Sequence, residues 1–494
     1  MIALALLLAT PGQLHLGLDP NSIPQQLAFY ELFPDSPEGK SAQKRAWQLL
    51  SGGAEDMPEG CTLTPLSTER LMTLVDLLAK QRLERGASLE TSEIEAIEQL
   101  ASRLPHNKLA GHTVWTEEEM RALDEEEFDL CRALLLSQCD DPEQIRSYEA
   151  TVDLMALQIL TRTSLSDAPE KKIRAINDFL FRETGVRFPP HTLFAKEIDH
   201  YTFLASVLDG QQGVCLGVSS LYLCLAQRLD LSMEIVTPPG HIYVRYRDAE
   251  REINVETTMR GVHVPSKHYL GVHTRKLQER SIKEVVGLAF QNQGSALWSK
   301  GDAKGAVVAY QKALLYLPDD LLIQELLGYT LCLTGKEREG RRLLEKVRDK
   351  VPDHAISASS MVNDLLDGQV DAAGISCCFD HVDETRDSIL AKQERVREVV
   401  QKWPKFSSGW FCYATGWLQL GRCGEALEAL RRVHELNQSD ETAEYYLAAL
   451  CLERHDYNKA WDHLRRAEEI TQARGADPKA LKALRHALRR VAPE

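Results

Sequence analysis

Gly213-Val214-Cys215-Leu216-Gly217, then Pro238-Pro239-Gly240-His241-Ile242-Tyr243-Val244-Arg245-Tyr246, then Glu252-Ile253-Asn254-Val255-Glu256-Thr257: on these three runs the reading of the chain turns. After the glycine-rich Asp209-Gly210-Gln211-Gln212-Gly213, the residues Val218, Leu221, Leu225 and Leu229 recur at helical spacing, which puts Cys215 in the first turn of a helix. The alternating β-formers of His241–Tyr246 and Glu252–Thr257 predict two strands, with Arg247 to Arg251 turning the chain between them. A hairpin of that length sets the start of the first strand beside the end of the second, so His241 and Glu256 are expected as cross-strand neighbours.

Those three side chains make a chemical set. A free thiol with a pKa near 8.5 is only about 3% thiolate at pH 7, and lowering the pKa to about 6 needs ~3.4 kcal/mol. A helix N-terminus typically supplies about 0.3–1 kcal/mol and at most ~2, so a neighbouring imidazolium must supply the remainder. His241 is the candidate, and Glu256 would orient the ring and favour its charged form. The backbone N–H of Cys215 is a natural oxyanion donor, with Gln211 or Gln212 as a second. Asn254 alternates with Glu256 along its strand and is the second choice for orienting the imidazole.

With the glycine-bracketed cysteine, Pro239-Gly240-His241 and Ile253-Asn254-Val255-Glu256-Thr257-Thr258 in this order, roughly residues 145–275 resemble the bacterial transglutaminase-like family whose members join a papain-like cysteine–histidine–carboxylate core to C-terminal TPR repeats. In the wider superfamily the third residue is usually aspartate in a Val-Asp-Pro-Thr-like string; Glu256 stands there, with Thr257 where proline is common. Many members of this branch lack the cysteine, and this chain carries it. The local signature around a papain cysteine is absent. The resemblance implies a cysteine-dependent acyl-transfer enzyme, with Cys215, His241 and Glu256 catalytic and the acyl acceptor either water or an amine. The alternative is an inactive transglutaminase-like/TPR scaffold that only mediates protein–protein interaction.

Outward from this core the chain is helical. Upstream, a helix is expected around Ser41–Leu50, another over Ser67–Leu83, and capping-box starts at Ser92/Glu95 and Thr116/Glu119. Two further helices are expected over 142–184, with Gly185 as the stop. From about 287 the pattern has the 34-residue period of a TPR: Gly294, Gly301, Ala306, Tyr310 and Pro318 recur in kind as Gly328, Gly335, Gly340, Leu344 and Pro352. Trp410–Val433 and Ala448–Ala467 begin further units, and 354–405 is irregular, with Val396 and Val399 on the second helix of a degenerate unit. The expected fold is therefore α+β and predominantly helical: an N-terminal helical region (1–140), a transglutaminase-like core with a short antiparallel sheet (141–280) and a C-terminal TPR α-solenoid (281–494).

With 494 residues the chain exceeds one ordinary core, and 44% apolar and 27% charged residues fit a globular protein. The net charge of −15 argues against nucleic acid as a partner. The solenoid's concave face predicts a bound protein or peptide, and the core a peptide or amide substrate. The 11 cysteines show no metal-ligand spacing, and His263, His268 and His273 fall in a Pro- and Gly-containing loop, so neither metal nor cofactor is expected. Scattered thiols point to a reducing, cytoplasmic setting; the short apolar run Ile2–Ala9 is the alternative signal, for export. No stretch is long enough to span a membrane.

Overall fold

The computed structural model describes residues 10–50, 89–189, 201–383 and 385–493. The apolar run Ile2–Ala9, Cys61 and the helix expected over Ser67–Leu83 lie outside them.

The described N-terminal part is helical, with Ile23–Leu32, Pro37–Leu50, Thr91–Ala101, Glu117–Ala122 and Leu130–Leu136 as its main segments. Thr116 caps its helix as its pattern predicts, accepting from the Glu119 N–H at 3.3 Å. The helix expected to start at Ser92 begins at Thr91 instead. Glu93 there accepts from the Glu90 N–H at 2.9 Å, so a carboxylate two residues earlier than Glu95 closes the start. Pro142–Leu160 and Pro169–Asn177 follow, the latter continued by a π-turn (Asp178–Glu183) and stopped at Gly185, whose φ of +72° is open to glycine. The short helix Leu204–Gly210 then leads into the cysteine helix, Cys215–Arg228. Almost every side chain of that helix is buried, and Arg228, fully enclosed, is neutralised by Asp153 at 2.6 Å.

The sheet is antiparallel and has four strands in the order β3-β2-β1-β4: β1 (Glu234–Thr237), β2 (Tyr243–Arg247), β3 (Glu252–Val255) and β4 (Gln278–Arg280). Only β2 and β3 were legible as alternation. β4 is entirely polar and sits at an edge, held by Arg245 and Arg247, which bridge Glu279 to Glu234 across the sheet. The β2–β3 register pairs Val244 with Val255 and Arg245 with Asn254. Carried one residue further, that register sets Tyr243, not His241, opposite Glu256. The expected direct pairing of His241 is corrected: the Pro238-Pro239-Gly240 turn, closed by the His241 N–H on the Pro238 carbonyl at 3.1 Å, keeps His241 out of the ladder.

Downstream, helices pair as antiparallel hairpins: Glu284–Ser299 with Ala303–Tyr316, Leu321–Leu333 with Glu337–Val347, Ser407–Gln419 with Cys423–Leu436, and Glu441–Glu453 with Tyr457–Ala473. The small positions of the repeat are small for contact: a Cβ on Gly294 would lie 2.6 Å from the Tyr310 ring, and one on Gly328 2.6 Å from Leu344. The irregular stretch forms Ser360–Leu366, Ala372–Cys378 and Arg386–Lys402, and Val396 and Val399 lie on the last. Lys479–Val491 ends the array with Leu481, Leu484 and Leu488 buried.

One hydrophobic cluster runs without a break from Ile23 through the cysteine helix to the first two hairpins and Phe406. A second fills the C-terminal hairpins and takes in Val272, from the loop after β3. That loop is also laced to the irregular stretch: the Ile356 N–H donates to the His273 carbonyl (3.1 Å) and the Arg275 N–H to the His354 carbonyl (2.8 Å).

The cysteine helix approaches Tyr201 so closely that a Cβ on Gly217 would stand 2.2 Å from the Tyr201 carbonyl oxygen. Gly217→Ala is expected to destabilise the protein by about 1–3 kcal/mol, read as a lower urea midpoint at unchanged m value.

Candidate active site

The start of the cysteine helix is fixed from outside. Val214 precedes it in extended conformation, and its N–H donates to the Tyr201 carbonyl at 2.9 Å. Gly213 and Gly217, on either side of Cys215, are both close-approach positions; a Cβ on Gly213 would meet Val218 at 2.9 Å and Val207 at 3.0 Å. Within the helix, Ser219 Oγ and Thr257 Oγ1 are 3.1 Å apart in the buried interior, so the first turns of the cysteine helix are tied to the residue after Glu256.

His241 projects from its turn between these two elements. Its Nε2 lies 2.6 Å from Glu256 Oε2, and its ring lines one cleft with Cys215, near enough for the sulfur to act on its charge. Burial opposes a charge on the ring, but the sulfur and the carboxylate together reverse this and hold the pKa up to about 9.

Glu256 is nearly enclosed, its side chain 2% exposed. Besides His241 it accepts from the Tyr269 hydroxyl at 2.5 Å, from Thr258 Oγ1 at 2.7 Å and from the Thr258 N–H at 3.2 Å. Burial works against its charge, yet these donors keep its pKa below the ordinary value. Tyr269 does more than donate: its ring stacks between those of His241 (5.7 Å between centroids) and Tyr243 (5.1 Å). Sequence reasoning missed Tyr269. It stands in a loop where the histidines drew attention, and no periodicity links it to Glu256.

Asn254 donates its side-chain amide to the Val264 carbonyl (2.7 Å) and to Ser266 Oγ (3.0 Å), and its N–H to His263 Nδ1 (3.0 Å). It thus braces the loop that returns toward Tyr269 and is not bonded to the imidazole. Gln211 ends its helix with a φ of +49°, and its carbonyl accepts from the Arg187 N–H at 3.3 Å; Gly213 N–H returns to the Arg187 carbonyl at 3.2 Å. Gln211 and Gln212 therefore belong to a tethered loop directly ahead of Cys215.

The Cys215–His241 pair opens into a cleft of about 950 Å³ whose opposite wall is the first two helical hairpins, through Gln291, Asn292, Asp319, Asp320 and Gln324. Among the described residues, two groups of metal-ligating side chains converge, His106/His112/Asp129 and His434/Glu444/His463, and neither includes a residue of this site.

Residues 146–284 match the family model of the transglutaminase-like superfamily. The matched segment contains Cys215, His241, Glu256 and Tyr269 and ends where the helix Glu284–Ser299 begins. No curated protein matches the chain at a significant level. Among solved structures, a crystal structure of MamA is similar at 15% identity over 37% of this chain and 96% of its own, with a TM-score of 0.21. MamA from Desulfovibrio magneticus RS-1 is similar at 12% identity over 38% and 96%, also with a TM-score of 0.21. No described helix is long and apolar enough to cross a membrane.

The raised histidine and lowered glutamate values fix a pH signature. A His pKa raised from 6.5 to about 9 contributes stability that is full below pH 6.5 and lost as pH rises through 9. A Glu pKa lowered from 4.5 contributes stability that is present above pH 4.5 and lost as pH falls below it. The difference in Tm between wild type and Glu256→Gln is therefore expected to be largest between pH 4.5 and 6.5 and to shrink above pH 9. Tyr269→Phe removes one donor from Glu256; its carboxyl pKa is expected to rise, measured by NMR titration of the labelled side chain.

Proposed function

We propose that the protein is a cysteine-dependent acyl-transfer enzyme acting on an amide or peptide carbonyl, with Cys215 as nucleophile, His241 as proton shuttle and Glu256 as orienter. The single observation that carries this reading is His241, hydrogen-bonded to Glu256 and sharing the mouth of one cleft with Cys215. An imidazole stabilised in its charged form beside a sulfur is what a thiolate nucleophile requires.

In the first half-reaction the Cys215 sulfur forms a bond to the carbonyl carbon and the carbonyl π pair moves to oxygen. The resulting oxyanion is met by the Cys215 N–H, unpaired within its helix because it lies in the first turn, with Gln211 or Gln212 as second donor. The C–N bond then breaks, the imidazolium gives its proton to the departing amine, and a thioester remains. In the second half, water or an amine loses a proton to His241 as it attacks the thioester, and the sulfur leaves. Glu256 holds its charge and the ring's orientation throughout.

The cleft lying between core and repeats supports a substrate that touches both, so the repeats take part in recruiting a protein or peptide. On this reading 1–140, 141–280 and 281–494 are three functional regions on one continuous frame.

Iodoacetamide at pH 6 is expected to alkylate Cys215 ahead of the other thiols, and His241→Ala to abolish that preference, read by peptide mass spectrometry. Reactivity no greater than that of an ordinary exposed cysteine would leave a scaffold role instead. Against panels of peptide, glutamine and amide substrates, Cys215→Ala is expected to be inactive, and His241→Ala to lower kcat/KM by about 10²–10⁴-fold. The alkaline limb of the pH–rate profile is expected near 9, where His241 loses the proton it must donate, and Glu256→Gln is expected to move that limb to lower pH.

A further inference from the structure

A second polar centre lies in the helical half, away from the thiol. Two consecutive 3-10 turns, Pro105–Lys108 and Ala110–Thr113, carry His106 and His112, and Asp129 caps the helix Leu130–Leu136. One ligand atom from each of these three side chains lies within 4.8 Å of the others. The imidazoles meet edge to face, 5.1 Å between centroids at 86°.

Ordinary hydrogen bonding does not exhaust this centre. His106 is fully buried, and its Nε2 lies 3.2 Å from both Asp153 Oδ1, itself held by Arg228 at 2.6 Å, and the Asn107 side-chain amide nitrogen. The other ring nitrogen, Nδ1, is buried and has no hydrogen-bond partner. An orphaned buried polar atom costs about 1–3 kcal/mol, so a fold that keeps one enclosed has a use for it. A carboxylate on the far nitrogen is how a metal-binding histidine is held in one tautomer, its free lone pair turned to the ion. His112 Nδ1 and Asp129 Oδ2 are 3.1 Å apart, close to the ~3.4 Å between two ligands each about 2.1 Å from a tetrahedral ion.

From this geometry we propose that His106, His112 and Asp129 bind a divalent first-row transition metal, zinc foremost, in a structural site that braces the two 3-10 turns against the helix Leu130–Leu136. Two imidazoles and a carboxylate are a borderline-soft ligand set suited to zinc. Charge fits as well. The Asp129 and Asp153 carboxylates stand beside the two imidazoles, and Arg228, at 2.6 Å, pairs with Asp153. The His112 side chain is 22% exposed, which gives the ion an entry and a water its place as fourth ligand. The trio His434/Glu444/His463 is the useful contrast. Arg466 stands 3.6 Å from the Glu444 carboxylate, and none of the three has an unpartnered buried atom.

The full chain, stripped with chelator and dialysed against zinc, is expected to hold one zinc per chain by elemental analysis. Cobalt in its place is expected to give the intense visible bands of a tetrahedral site. His112→Ala is expected to bring zinc to background while the circular dichroism stays native, and His434→Ala/His463→Ala to leave it at one. Zinc retained by His112→Ala, or lost from the His434→Ala/His463→Ala variant alone, overturns the assignment. Should His112→Ala fail to fold, His112→Gln and the cobalt spectrum of the wild type decide: an octahedral spectrum or no binding overturns it. Cys215 alkylation, followed in parallel, tests the acyl-transfer reading separately, since no ligand of the proposed ion touches that site.

Discussion

A carboxylate taken almost wholly out of water must be met by donors or lose its charge, and around Glu256 this constraint organises the site. Hydrogen bonds to a charged group are worth about 1.5–3 kcal/mol each, against a desolvation cost of several kcal/mol. One or two donors would leave the balance near zero. Glu256 has donors from three residues, each from a different direction: His241 from the β2 turn, Thr258 from its own 3-10 turn and Tyr269 from the loop beyond. Keeping the carboxylate ionised therefore fixes the relative positions of three pieces of chain. The imidazole is oriented as one consequence, and its charge is favoured as another.

The thiol's position is set by a different force, steric rather than electrostatic. Gly213 and Gly217 let the cysteine helix start against Tyr201 and Val207, where any side chain at those positions would collide. The Val214 N–H then locks the approach through the Tyr201 carbonyl. The two assemblies meet at Ser219 and Thr257, a buried hydroxyl pair that joins the helix bearing the thiol to the strand end bearing the carboxylate. The thiol–imidazole contact thus follows from two rigid approaches, one made possible by missing side chains and one enforced by a buried charge.

What the sequence revealed and what it hid follow from the range of the interactions. Cys215 at a helix start and the β2–β3 hairpin are local patterns, and both were legible. The 34-residue period was legible too, because it repeats the demand for a small residue where Tyr310 or Leu344 presses on the facing helix. The exact partner of Glu256 across the hairpin was not, because the Pro238-Pro239-Gly240 turn takes His241 out of the ladder and lets it reach the same carboxylate from the side. β4 was hidden because its pairing rests on Arg245 and Arg247 reaching across strands, with no alternation of its own. Tyr269 and the His106 centre were hidden for the same reason: their partners are brought near by the fold, and nothing in spacing along the chain announces them.

The repeats are part of this frame as well. Val272 lies only three residues beyond Tyr269 and is buried in the C-terminal hydrophobic cluster, while His273 and Arg275 are bonded to the irregular stretch between hairpins. The loop that delivers a phenol to Glu256 is thus clamped at its far end by the solenoid. On the other side of the site, the first two hairpins supply the wall of the cleft facing Cys215 and share one hydrophobic core with the cysteine helix. A solenoid that merely trailed from an independent core would need neither contact. Because it forms one wall of the cleft and anchors the carboxylate's loop, anything that shifts the hairpins acts on both sides of the same imidazole.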